Sequence, residues 1–240
     1  MLVKFDDNTN DLVDLIVGAD GIFSNTRSFF EKKINQPRFK KATALRTILK
    51  SKSGLNIDEE RISLMMGKKC HLVIYPINKN NELNLVCVIR DKKYDPNNIK
   101  SLIDKIVNQN PSLQKVFDEN LKSFPLYTTS KILPSTNNKV FYIGDAFNGI
   151  LPTLAQGAGQ SIESAYELFN LLKAEKLDST NAYFQERSKR VKIVRKRSNL
   201  NFFVFHFSSS IMQMVRNSVM KFLVKRRSFI SSYLGTVYKN

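Results

Sequence analysis

"FYIGDAFNGILPTLAQGAGQSIESA", residues 141–165, joins three features that together point to a nucleotide site. An apolar run ends in Gly144-Asp145, a turn carries Pro152, and the small residues of "AQGAG" open a helix. An acid at the carboxyl end of a buried strand sits where open α/β sheets bind ligands, and it can accept hydrogen bonds from ribose hydroxyls. A helix N-terminus made of small residues lets a phosphate or an electron-rich ring edge approach free backbone N–H groups and the positive dipole end. Pro152 stiffens the loop between them. "GAGQSI" alone is not a dinucleotide fingerprint, because it lacks a third glycine and a strand directly before it. The signal lies in G-D-A, Pro152 and A-Q-G-A-G at this spacing.

Working outward, "LVKF" (2–5) and "LVDLIV" (12–17) read as two strands of a hairpin joined by "DDNTN". The second runs into "GADGIFSNTRSFFEKK", where Gly18 and Gly21 permit a turn and Ser24 or Asn25 caps a short helix reaching about Lys33. From Pro37 to about Phe124, "ATALRTIL", "RISLMM", "HLVIYPI" and "LNLVCVI" alternate with polar turns, the pattern of an antiparallel sheet. One helix, "NIKSLIDKIVNQ", interrupts this layer, which has a face free to meet a ligand. "KVFYIG" is a further short strand, and Gln156 to Lys173 a helix with Ile162, Ala165, Phe169 and Leu172 on one face. Residues 179–240 read as basic helices with apolar stripes such as Ile211, Val215, Val219 and Phe222.

The 240 residues are 42% apolar and 25% charged, a globular balance. No stretch approaches the roughly 18 apolar residues of a spanning helix, and "MLVKFDDNTND" has no signal pattern, so a cytoplasmic protein is expected. Cys70 and Cys87 form no C-x-x-C pair and there are only two histidines, so no metal site is expected and both thiols read as buried and reduced. The net charge is +17, and the stretch from Lys173 to Asn240 holds 15 Lys and Arg against 3 acids, the last being Glu186. "RSKRVKIVRKRS" (187–198) has no interleaved aromatic residues, which argues against nucleic acid and for a solvated helical face. With the apolar stripe that follows, a peripheral contact with an anionic membrane is the functional reading of this tail.

"GDAFNGILPTLAQGAGQSIESA" closely resembles the second flavin-binding motif of the FAD-dependent aromatic hydroxylases, the family of the 4-hydroxybenzoate and salicylate hydroxylases. Its pattern runs G-D-A-A-H, a Pro, G/A-Q-G, then a helix ending in D-A. "DLIVGADGIFSNTRSFF" resembles the same family's internal motif G-A-D-G-x-x-S-x-x-R, with Gly18, Asp20, Gly21, Ser24 and Arg27 in register. The resemblance implies that Gly144 and Asp145 hold the ribose, and that Pro152, Leu154, Ala155, Gln156, Gly157, Ala158 and Gly159 lie beside the flavin ring and pyrophosphate. It implies that Asp20, Gly21 and Arg27 support the pyrophosphate and the transient nicotinamide. Weaker likenesses to the salicylate-hydroxylase branch extend through "HLVIYPINKNNELNLVCVIRD" and "YFQERSKRVKIVRKRSNLNFFVFH". Asn148 stands where the family has His and Ser164 where it has Asp, polar exchanges expected to leave flavin binding intact. The family's opening strand, its G-x-G-x-x-G and its adenosine-ribose acid have no counterpart here, so the chain is expected to be a C-terminal portion of such an enzyme.

The implied fold is α/β (α+β): a partial FAD-binding Rossmann-like domain (1–36 and 126–178), an inserted antiparallel-sheet substrate domain (37–125) and basic C-terminal helices (179–240). The implied activity is NAD(P)H-dependent hydroxylation of an aromatic or lipid-like, electron-rich substrate with O2, through a flavin hydroperoxide. Such chemistry asks the protein for position and a dry pocket, so the lack of a catalytic triad does not count against it. Arg46, His71, Tyr75 and Pro76 are the substrate-side candidates. Arg46 could pair with an aromatic carboxylate or lie on the solvated surface, and His71 and Tyr75 share a strand face. The competing reading is a flavin-free scaffold associated with membrane or nucleic acid.

Overall fold

A computed structural model describes residues 1–31, 36–50, 60–77, 82–108, 117, 121–174 and 179–238. Two compact units emerge, one of Met1–Arg38, Tyr127–Asn201 and Thr236–Asn240, the other of Phe39–Leu126 and Phe202–Gly235.

In the first unit, β1 (Leu2–Lys4) pairs antiparallel with β2 (Asn10–Leu12), Leu2 opposite Leu12. The segment "LVDLIV" is not one strand: it leaves β2 and starts β3 (Ile16–Gly18), which pairs parallel with β9 (Val140–Tyr142) in a separate sheet. Gly18 is required there, since a Cβ would meet the Tyr142 ring at 2.9 Å. Helix α1 (Asn25–Phe30) starts at Ser24, whose hydroxyl accepts from the Arg27 N–H at 2.9 Å. The helix ends at Phe30 rather than about Lys33, with Glu31 already in extended conformation; residues 32–35 lie outside the described residues. After β9 come α3 (Gly144–Asn148), a 3-10 turn at Pro152–Leu154, α4 (Gly157–Lys173) and α5 (Ser179–Phe205). Val140, Phe141, Phe147, Leu168, Tyr183 and Val191 form this unit's core.

The outward face of α4 reverses the expectation from periodicity. Ile162 is 71% exposed and Phe169 59%, while Gln160, Ser164 and Leu168 are buried. The polar residues go inside because each finds a partner there: the Ser164 hydroxyl accepts from the Gly144 N–H at 3.0 Å, and Gln160 accepts two bonds from Arg187. The basic run 187–198 is likewise not a solvated face. Arg187 is 1% exposed and reaches Glu163 and Glu167 at 3.1 and 3.0 Å, Arg190 reaches Glu163 at 2.9 Å, and Arg195 donates to the Thr129 and Ser130 carbonyls. Lys189, Lys192 and Lys196 remain outside.

The second unit is built on a five-stranded sheet ordered β5 (Ser63–Met66), β6 (Cys70–Pro76), β7 (Glu82–Arg90), β4 (Arg38–Lys50), β8 (Lys122–Thr128). Alternation along β6 sends Cys70, Leu72 and Ile74 to one face and His71, Val73 and Tyr75 to the other. The first face, with Leu45, Leu85 and Cys87, packs on Leu102 and Ile106 of α2 (Ile99–Val107). Cys87 lies opposite Leu72 and Cys70 opposite Ile89, so the thiols share a face as diagonal neighbours, both buried and free. Burial pushes both thiols above the ordinary cysteine pKa. The chain closes with α6 (Ser210–Leu223) and α7 (Arg227–Tyr238).

Candidate flavin site

Three short elements of the first unit, β3, β9 and α4, bring the two motifs together. Gly144 has φ of +57° and a Cβ there would sit 2.7 Å from the Ser161 hydroxyl, so only glycine lets the chain turn from β9 into α3 against α4. Asp145 follows at the carboxyl end of β9. Its carboxylate is open to solvent and accepts no hydrogen bond among the described residues, while the protein packed beneath it raises its pKa above the usual carboxylate value. The chain then passes Pro152 to Ala155, whose φ of +53° is a left-handed conformation unusual for a residue with a side chain. At the start of α4 no side chain caps the helix, and nothing lies within 4 Å of where a Gly157 Cβ would be. The first-turn N–H groups of Gly157, Ala158 and Gly159 have no partner within the helix. Gln156 is buried and accepts at its side-chain oxygen from Gln160, which fixes the approach to the helix.

The first motif acts from within. Asp20 accepts from the Ser24 hydroxyl at 2.5 Å and the Thr26 N–H at 2.8 Å. Partial burial works against its charge, yet these bonds hold its pKa below the usual carboxylate value. Gly21, with φ of +80°, makes the turn possible. Arg27 is buried, stacks its guanidinium 4.5 Å over the Tyr142 ring and donates to the Phe147 carbonyl at 3.1 Å. It thereby ties α1 to the C-terminal end of α3. A cavity of ≈190 Å³ between the motifs is lined by Ser24, Arg27, Thr129 and Ala146. That volume is too small to enclose a dinucleotide.

Asn148, the residue that stands where the family has His, is buried, and its side-chain N–H2 has no partner among the described residues. An unpaired acid, an orphaned amide donor and an uncapped helix start within one loop-helix segment fit an added group rich in hydroxyls and acceptors, as FAD is.

In the second unit, the sheet face opposite α2 carries Arg46, His71 and Tyr75 together: Arg46 lies opposite Val86, which pairs with Val73, and Tyr75 lies opposite Asn84. Half of this face is covered. His71 is 2% exposed, 3.1 Å from His206 and edge-on to Phe205. His206 Nδ1 donates to the Phe202 carbonyl at 2.6 Å, so its Nε2 accepts from His71 Nδ1. His71 is thus committed to holding the helix end on the sheet. Arg46 is exposed, with its guanidinium 5.6 Å from the Phe124 ring, and Tyr75 is half-buried, so the open half presents these two. Pro76, at the strand end, belongs to the opposite face.

In sequence this chain is similar to proteins named as a monooxygenase and a hydroxylase, and in fold to a structure complexed with FAD. Residues 12–235 match the family model described as squalene epoxidase. The chain belongs to that squalene epoxidase family. It is 26% identical over 230 residues to the 3-amino-4-hydroxybenzoate 2-monooxygenase PtmB3 of Streptomyces platensis, an alignment covering 91% of this chain and 58% of that one. It is 26% identical over 211 residues to a salicylate hydroxylase of Pseudomonas putida, covering 75% of this chain and 48% of that one. Among solved structures, Klebsiella pneumoniae HpxO complexed with FAD and uric acid superimposes with a TM-score of 0.80 at 15% identity, over 98% of this chain and 63% of that one. The chain thus spans under two thirds of the length of these relatives.

Proposed function

We propose that this chain carries the ribose-binding and substrate-facing parts of an NAD(P)H-dependent, FAD-dependent monooxygenase acting on a small aromatic or similarly electron-rich molecule. The observation that carries this reading is the Asp145 carboxylate, unpartnered at the end of β9 beside an uncapped, small-residue helix start. Asp145 accepts from ribose hydroxyls, and Gly144 gives the chain room to turn beneath them. The N–H groups of Gly157 to Gly159 face the pyrophosphate and the polar edge of the ring, with Pro152, Leu154, Ala155 and Gln156 shaping the approach. Asp20, Gly21 and Arg27 hold the loop that supports the pyrophosphate. FAD, when bound and reduced by NAD(P)H, supplies the activation of O2. Arg46 and Tyr75 orient the substrate, the guanidinium favouring an anionic ring such as a carboxylated aromatic.

Relatives named for aminohydroxybenzoate and salicylate, and a structural neighbour holding uric acid, support the aromatic class. The family's name keeps a lipid-like substrate as the second reading. No described helix is long and apolar enough to cross a membrane. We place the protein in the cytoplasm, where two buried thiols stay reduced, with a peripheral bilayer contact as the finer expectation.

The test is FAD uptake by the longest in-frame product, read from its visible spectrum. Wild type should bind FAD, and Asp145→Ala should weaken it about tenfold or more, the loss of hydrogen bonds to a charged acceptor worth about 1.5–3 kcal/mol. A wild-type product that purifies colourless and takes up no FAD overturns the reading. With FAD bound, salicylate and urate should stimulate NAD(P)H oxidation, and Arg46→Ala should raise KM for anionic rings only.

A further inference from the structure

Helix α5 forms one wall of an open groove that lies wholly within the first unit. Lys192, Arg195, Lys196 and Asn199 line it from positions i, i+3, i+4 and i+7, which share a helix face. The facing wall is the segment after β8, where Lys131 stands beside Ile132 and Leu133. The groove's volume is ≈650 Å³, the size of a small-molecule site. Among the described residues, four cations line it and no acid does.

Arg195 shows that this charge is uncompensated. It donates to the carbonyls of Thr129 at 2.6 Å and Ser130 at 3.0 Å, and to the Asn148 side-chain oxygen at 3.4 Å, all neutral acceptors. Burial lowers its pKa, and no acid acts against that. Earlier on the same helix the pattern is the reverse, since Arg187 and Arg190 are matched by Glu163 and Glu167. A half-buried guanidinium among exposed lysines is desolvated without a counter-charge, and an arriving anion supplies one.

The walls narrow the kind of anion. Ile132 and Leu133 offer an apolar surface to a ring. Asn199 offers a side-chain amide, which can pair with both N6 and N7 of adenine. It lies two turns, about 10 Å, along α5 from Lys192, so a base and its phosphates find separate partners. A nucleic acid would need aromatic residues to stack its bases, and none lines the groove among the described residues. The same stretch of helix is fastened to the Pro152 loop: the Ser198 hydroxyl donates to the Leu151 carbonyl and the Thr153 hydroxyl to the Ser198 carbonyl, both at 2.7 Å.

We propose that this groove binds an adenosine nucleotide, with Lys192, Arg195 and Lys196 on its phosphates and Asn199 on its base. Assigning the nucleotide as NADPH rests on the proposed function; free ATP shares the chemistry.

Equilibrium dialysis of the full chain without FAD tests this, so that a failure to take up FAD and a failure to bind nucleotide are read separately. NADPH or ATP should bind, and Lys192→Glu with Lys196→Glu should weaken binding about tenfold or more. Lys221→Glu with Lys225→Glu changes the net charge equally on α6 and should leave binding unchanged. Asn199→Ala should weaken nucleotide binding about fivefold or more and leave inorganic tripolyphosphate unaffected. NADPH bound more tightly than NADH and ATP assigns the groove to the co-substrate, and ATP bound more tightly than NADPH assigns it to a free nucleotide. No binding of either, equal losses from both lysine pairs, or indifference to Asn199→Ala overturns the proposal.

Discussion

Ala155 and Gly144 both sit in the left-handed region, and only one of them is a glycine. Ala155→Gly should therefore raise stability by about 0.5–1 kcal/mol in a denaturant melt, because the strained φ is relieved. Gly144→Ala should lower it by about 1–3 kcal/mol, since it adds both the strain and a clash with Ser161. The histidine pair makes a pH prediction. Burial and the neighbouring His206 push the His71 pKa down to about 3, and burial lowers that of His206, with Arg90 and Arg216 adding to the effect. The unfolded chain binds protons below about pH 6.5 that the folded chain refuses. Stability is thus complete above that pH and declines as pH falls toward 3, on the order of 3 kcal/mol by about pH 4. His71→Asn should flatten the slope of unfolding free energy against pH. At this scale the glycines and Asp145 were legible in the sequence, because a turn and a strand end leave residue signatures. Asn148 was not, because its burial depends on Thr129 and Arg195, distant in the chain.

Helix α4 shows why periodicity misjudges an element. Its buried face is Gln160, Ser164 and Leu168 rather than the apolar Ile162, Ala165 and Phe169, and of the expected stripe Leu172 alone packs partly buried against the core. The partners that admit the polar residues, Gly144 and Arg187, lie 20 and 27 residues away. The same contacts hide the inward turn of "RSKRVKIVRKRS", whose Arg187 and Arg190 anchor α5 to α4 through Glu163. Arg187→Met should cost about 2–3 kcal/mol in equilibrium unfolding, below the full buried-pair range because both glutamates keep some water. Breaking the exposed Lys189–Glu186 pair should cost about 0.5 kcal/mol or less. Strand β8 escaped the sequence pattern for a different reason: Pro125 interrupts "KSFPLYT", and the strand survives it by lying at the sheet edge beyond β4.

Across the whole chain, the antiparallel sheet and the C-terminal helices were readable from the change of period, whereas the parallel pairing of β3 with β9 was not, because it joins segments over 120 residues apart. Which surfaces stay bare was not, since that follows from the side each helix turns outward. Ile162, Tyr166 and Phe169 on α4, Leu2 and Leu12 on the first hairpin, and the α6 stripe are all exposed. The β3·β9 pair also keeps free outer edges among the described residues. Parallel strands are ordinarily covered on both faces, and a two-stranded sheet is marginal alone. The 240-residue chain by itself should therefore self-associate, visible as a size in sedimentation that grows with concentration. A monodisperse monomer melting in one cooperative step would contradict this.

The His71–His206 contact has one more consequence. These are the protein's only imidazoles, and both are closed off from solvent. An imidazole-acylating reagent should leave the native protein almost untouched and modify it only as fast as the Phe202–His206 segment lifts from its strand. The pair is a built-in clock for that local opening, read without any introduced label.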